Sequence, residues 1–179
     1  MLSDEEHTAI KLVQPRKAIE SMKAIITGVD SSQTALTAAE KAAELAASFD
    51  AELYVFSAYS ISSAVAIQTA KSGNMATKTS EAYQRLADGQ AAAAQQAAES
   101  VATILRNSWP KLQVKPLAVE GQPAEVLLKK ADELGADAIV VGNKKAQGLS
   151  RILGSISRNV AAEAKCDLYI VNTTQQQSR

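Results

Sequence analysis

Histidine is nearly missing from this chain: His7 is the only one, and it lies in a charged stretch before the first apolar run. That excludes histidine-paired nucleophile triads and multi-histidine metal sites, which need an imidazole beside their other groups. Cysteine is as scarce. A lone Cys166 cannot form an internal disulfide, and its place ahead of Leu168, Tyr169 and Ile170 reads as that of a small core residue rather than a reactive thiol. Aromatics are 4% of the chain, and Lys plus Arg match Asp plus Glu at 19 each. With no net positive field and little to stack on bases, nucleic acid is not an expected partner. The longest apolar runs, such as Ala136 to Val141, are strand-length and fall far short of the roughly 20 residues that cross a bilayer. No membrane is expected either. The segment Met1 to His7 is acidic and lacks the basic start and apolar stretch of a secretory signal, so the expected compartment is the cytoplasm.

What is present is apolar residue, 46% of 179, enough to bury one continuous core. Residues 1–21, which mix charges and end in Gln14-Pro15-Arg16-Lys17, form an N-terminal extension; 22–174 form the domain; 175–179 are a polar tail. Ala24 to Val29 is a short β-branched strand that stops at Asp30-Ser31-Ser32, where a helix begins and runs to about Phe49-Asp50. Ala51 to Tyr59 is a second strand, followed by a loop with a Gly73-Asn74 turn. Glu81 to Arg106, rich in Ala and Gln, carries one apolar face at helical spacing. Val114 to Val119 is a third strand, Ala124 to Leu134 a helix entered by Pro123 and closed by Gly135, and Ala136 to Val141 a fourth, fully apolar strand. A helix over about Ser155 to Ala164 and a fifth strand over Cys166 to Val171 complete the pattern. Alternating strands and helices predict an α/β fold with a doubly wound five-stranded parallel sheet and helices on both faces.

In such sheets ligands bind beyond the carboxyl ends of the strands, where the strand order reverses. The loops after strands one and four therefore carry the functional reading. Asp30, directly after strand one, is either an acceptor for an adenine or ribose donor or a helix-cap and turn residue with Ser31 and Ser32. After strand four comes Val141-Gly142-Asn143-Lys144-Lys145, and then Gly154-Ser155-Ile156-Ser157 opens the last helix. A glycine at a strand end admits close approach to the backbone, and a helix start with free N–H groups and two hydroxyls favours an anion. This outlines a phosphate cradle. Lys144, Lys145 and Arg151 are either phosphate contacts or solvated loop charges.

Several blocks in this order, Val29-Asp30-Ser31-Ser32, Val119-Glu120-Gly121-Gln122-Pro123, Val141 to Lys144 through Gly154-Ser155-Ile156-Ser157, and Cys166 to Val171, resemble the universal stress proteins. The resemblance covers about Met22 to Thr173. It implies the strand order 3-2-1-4-5 of adenine nucleotide alpha hydrolase-like folds, and a stress-response or regulatory module that binds ATP or AMP, with magnesium as an optional companion and little or no hydrolysis. It also implies that Gly28, Val29, Asp30 and Ala58 line the adenosine side, while Gly142, Lys144, Lys145, Gly154, Ser155, Ile156 and Ser157 hold ribose and phosphates. The nucleotide-binding branch carries Gly-x-x-Gly, nine residues, then Gly-Ser or Gly-Thr. Here Lys145 stands at the second glycine and eight residues separate it from Gly154, so Gly148 would have to supply the turn.

Other chemistries are missing their parts. Gly148 to Ser155 has one spacer too many and no lysine before the serine for a Walker site, and no Gly-x-Gly-x-x-Gly follows strand one. A phosphoacceptor receiver domain shares the alternation, but it needs clustered acids, and strand three here ends Val119-Glu120-Gly121. The remaining alternative is the branch of the same family that binds no nucleotide and acts through dimerisation. The expected dimer interface is the fifth strand, whose apolar Leu168, Ile170 and Val171 carry no proline or lysine to block an edge.

Overall fold

In the computed structural model the described residues are 22–61, 76–143 and 153–173, the side chains of 76–80 and 82 excepted. The expected extension over 1–21, the Gly73-Asn74 turn and the polar tail fall outside them. Short aliphatic runs bounded by turn residues make the strands, and alanine-rich amphipathic runs make the helices. The order is β1 (Ala24–Gly28), α1 (Gln33–Phe49), β2 (Glu52–Tyr59), α2 (Ala76–Ser108), β3 (Val114–Glu120), α3 (Pro123–Leu134), β4 (Ala138–Gly142), α4 (Ser155–Glu163) and β5 (Asp167–Val171). Local chemistry sets the ends. Ser32 caps α1 by accepting from the Ala35 N–H, and Asp50 closes it in the left-handed region, which Asp tolerates better than most side chains. Pro123 enters α3, and Gly135, at φ 58°, closes it. β4 starts two residues later than the apolar pattern suggests. The Ala136 N–H goes back to the Ala131 carbonyl, and the Asp137 carboxylate accepts from the Lys23 and Ala24 N–H groups, so both residues serve the helix exit and the strand entry.

All five strands are parallel, in the order β3-β2-β1-β4-β5. Side chains alternate across the sheet, so Ile25 packs with α1 and α2 through Ala39, Ala42, Ala98 and Leu105, while Ile26 packs with α3 and α4 through Leu127, Ala131 and Val160. The small alanines let α1 lie close to the sheet. Burying a side chain such as Phe56 or Leu127, each 2% exposed or less, contributes roughly 1.5–3 kcal/mol. The strand order reverses across the β1/β4 pair, whose register covers only Ile25–Ala138, Ile26–Ile139 and Thr27–Val140. The buried Thr27 hydroxyl adds a bond to the Val140 carbonyl at 2.9 Å. Beyond it the two strands part.

The two edges of the sheet are finished differently. Alternate residues of an edge strand turn their N–H and C=O groups outward. On β3 these are met from α2: the Gln95 amide accepts from the Ala118 N–H at 2.9 Å and donates to the Pro116 carbonyl at 3.4 Å, and Arg106 donates to the Val114 carbonyl at 2.8 Å. Pro116 has no N–H to present. On β5, Asp167 and Val171 bond inward to β4 and its continuation, so Leu168 and Ile170 turn their backbone groups outward, and these meet no partner among the described residues. Tyr169 and Ile170 are exposed on the same strand.

Candidate functional site

The parting of β1 and β4 opens a crevice of about 380 Å³ at the carboxyl ends of the strands. Its lining comes from five segments. β1 and its exit supply Gly28, Val29 and Asp30; the start of α1 supplies Ser32, Thr34 and Ala35; β2 supplies Phe56 and Ala58; α3 supplies Pro123, Val126 and Leu127; β4 and the start of α4 supply Val141, Gly142, Gly154, Ser155, Ile156 and Ser157. The floor is apolar, and the polar groups sit at the two rims. Asp30 is the single charged side chain on the described lining. A flat, apolar ligand portion with polar groups at its ends suits such a slot.

On one rim, Asp30 Oδ1 accepts from the Ser32 N–H at 2.8 Å, so the turn reading of Asp30 is correct in part. Its other oxygen has no donor among the described residues. On the facing rim, α4 begins at Gly154 with no side-chain cap, and its first ladder bond is Arg158 N–H to the Gly154 carbonyl. The N–H groups of Ser155, Ile156 and Ser157 are thus left without helical partners, the arrangement that accepts an anion. Ser155 is exposed there. Ser157 is different: it is buried, and its hydroxyl donates to the Gly142 carbonyl at 2.9 Å. Its side chain fastens α4 to the end of β4.

Gly142 is needed for a reason the sequence does not show. A Cβ there would meet Thr173 Cγ2 at 3.2 Å and the Thr34 carbonyl at 3.3 Å, so the strand end is squeezed between α1 and the chain leaving β5. Close approach is required by the protein's own segments. At Gly28 the neighbour is Leu127, 3.2 Å from a built Cβ.

Gly28, Val29, Asp30, Ala58, Gly142, Gly154, Ser155, Ile156 and Ser157 all line this one crevice. Lys144, Lys145, Gly148 and Arg151 lie outside the described residues. Sequence reading passed over the floor, Phe56, Val126, Leu127 and Val141, because apolar residues at strand and helix spacing read as core. The turn Gly121-Gln122-Pro123, which aims α3 at the strand ends, was the available signal. Cys166, half-buried against the α3 and α4 side of the core, has its thiol pushed up by burial first and by Asp167, Asp132 and Asp137 after it. That agrees with a small packing residue. Among the described residues no group of three or more His, Cys, Asp or Glu side chains is placed to hold a metal ion, and no helix is long and apolar enough to cross a membrane.

Comparison with known proteins follows the same lines. The model of the universal stress protein family matches residues 22–172. The universal stress protein Rv1636 of Mycobacterium tuberculosis H37Rv is 32% identical over 160 residues, spanning 87% of this chain and 100% of that protein. A solved universal stress protein in complex with cAMP superposes with a TM-score of 0.58 at 26% identity, covering 86% of this chain and 99% of that one. The structure of the hypothetical protein MJ0577 has a TM-score of 0.68 at 21% identity, over 87% of this chain and 99% of that one, a likeness of fold.

Proposed function

The chain belongs to the universal stress protein family, and from that premise we propose that it binds an adenine nucleotide, ATP or AMP, in the crevice between β1 and β4. It would act in the cytoplasm as a stress-response or regulatory module. The observation that carries this reading is the convergence on one crevice of an apolar floor, an Asp30 carboxylate oxygen without a donor among the described residues and a helix start at Ser155 without a side-chain cap among them. The base would lie on Phe56, Ala58 and Leu127, with its polar edge toward the β1 exit. The phosphates would meet the N–H groups of Ser155, Ile156 and Ser157 and the Ser155 hydroxyl. That the universal stress protein above was solved in complex with cAMP supports an adenine nucleotide as the ligand. Magnesium would arrive on the nucleotide's own phosphates, since Asp30 is the one carboxylate on the described lining. Asp30, with no partner acid or base on the described lining, gives water little activation, so hydrolysis would be slow or nil.

Calorimetry of the full chain with ATP, AMP, cAMP and adenosine tests the reading. Binding of at least one nucleotide is expected, and Ser155→Ala should weaken ATP by roughly tenfold or more while leaving adenosine unchanged, as loss of a hydrogen bond to a charged group implies. Absence of heat and of thermal shift with all four ligands at millimolar concentration sinks it. We also propose a homodimer through β5, supported by the outward Leu168 and Ile170 backbone groups and by the exposed Tyr169 and Ile170 side chains. This assembly is the basis of the second reading, a module that acts by dimerisation without nucleotide.

A further inference from the structure

Where the chain leaves β4, two consecutive peptides are held from two directions. The Gly142 carbonyl accepts from the Ser157 hydroxyl on α4, and the Asn143 carbonyl accepts from the Thr173 hydroxyl at 2.9 Å. The Asn143 N–H in turn donates to the Val171 carbonyl at 2.8 Å. Asn143 is therefore gripped on both sides of its own α-carbon by residues of β5 and its exit. Its side chain does not do this work: Asn143 Oδ1 is buried and meets no donor among the described residues. Burying an unpaired acceptor is unfavourable, so the backbone clasp, and not the amide, keeps Asn143 in place. Thr173 is suited to the task. Its β-branch restricts the side-chain torsion, the hydroxyl meets Asn143, and the methyl lies 3.2 Å from where a Cβ on Gly142 would be.

We infer that Thr173 is a positioning residue: it fixes the Asn143 peptide, and through it the Gly142 end of β4 that lines the crevice opposite Asp30. The consequence for ligand binding rests on the nucleotide reading above. By linkage, order at the end of β5 and occupancy of the crevice then favour one another.

The test uses the full chain and two variants. Thr173→Val keeps shape and removes the hydroxyl; Thr173→Ser keeps the hydroxyl and removes the methyl. Hydrogen exchange at the Asn143 amide, measured without nucleotide, should quicken several-fold in T173V and return toward the wild-type rate in T173S, while the Ile26 amide in the β1 ladder stays protected in both. Calorimetry should show T173V weakening AMP by about 2–10-fold relative to adenosine, the range one neutral hydrogen bond carries, with T173S near wild type. An unchanged Asn143 exchange rate in T173V overturns the inference. If the wild type binds no nucleotide, the functional reading fails, and the exchange measurement still decides the role of Thr173.

Discussion

The β3 and β5 edges belong to the same parallel sheet and face the same problem, a row of backbone groups with no neighbouring strand. On β3, the Gln95 amide stands in for the missing strand by donating and accepting as a peptide does, Arg106 meets one more carbonyl, and Pro116 removes one N–H. On β5, the outward groups of Leu168 and Ile170 meet nothing among the described residues, and the side chains around them are apolar. One edge is closed from within by its own helix, and the other meets no partner among the described residues. Edges that stay single in solution are usually closed, and the contrast is what the proposed dimer through β5 rests on.

The largest change should come from making β5 resemble β3. Ile170→Pro copies the proline of the closed edge onto the open one, and because the Ile170 N–H turns outward, no bond to β4 is lost. The wild type is expected to sediment as a dimer at tens of micromolar, and the variant as a folded monomer with an unchanged helical circular dichroism signal. A variant that stays dimeric places the interface elsewhere. A smaller effect is expected from opening β3. Gln95→Leu strands the Ala118 N–H and the Pro116 carbonyl, and it should lower unfolding stability by about 1 kcal/mol, seen as an earlier urea midpoint at unchanged slope. Pro116 remains, so no new association through β3 should follow; an unmoved midpoint would show that the amide contributes nothing.

The smallest effect concerns the amino end of the closed edge, where Lys115 bonds Glu52 at 2.7 Å and its ammonium lies 4.9 Å from the Tyr54 ring centre. Hydrogen bonds from Lys115 first and Tyr54 second hold the Glu52 carboxyl below the usual glutamate range. A carboxyl depressed in the folded state adds stability that is present above its unfolded pKa and lost as pH falls through the folded one. Glu52→Gln should therefore lose slightly less stability than wild type on acidification through the glutamate range. Both partners are solvent-exposed, which keeps the difference small. Parallel pH curves for the two proteins would remove the ion pair from the account.

The strands, the order of elements and the rims of the crevice follow from local patterns: β-branched runs that stop at Asp30 or Gly142, and a glycine-serine helix start at Gly154. The closure of β3 could not be read that way. Gln95 sits in an Ala-Gln tract where glutamine is an ordinary helix residue, and its partners lie 21 and 23 positions further along the chain. The same holds for Gly142, whose two close neighbours, Thr34 and Thr173, are distant in sequence, and for Ser157, whose hydroxyl turns back to β4 when the helix start alone suggests a phosphate contact. Periodicity reports which face is buried. It does not report which backbone group a polar side chain will find.

Mechanically, the sheet has its shortest ladder at the β1/β4 seam: three registered pairs, pinned by the Thr27 hydroxyl toward the crevice and by the Asp137 bonds at the other end. Every other ladder in the sheet is longer. Under load that pulls β1 away from β4, this seam is where tearing would start, from the crevice end. A ligand reaching from Asp30 after β1 to Ser155 at the start of α4 would brace this gap, so the force needed to part the two strands would rise with occupancy and Thr27→Val would lower it.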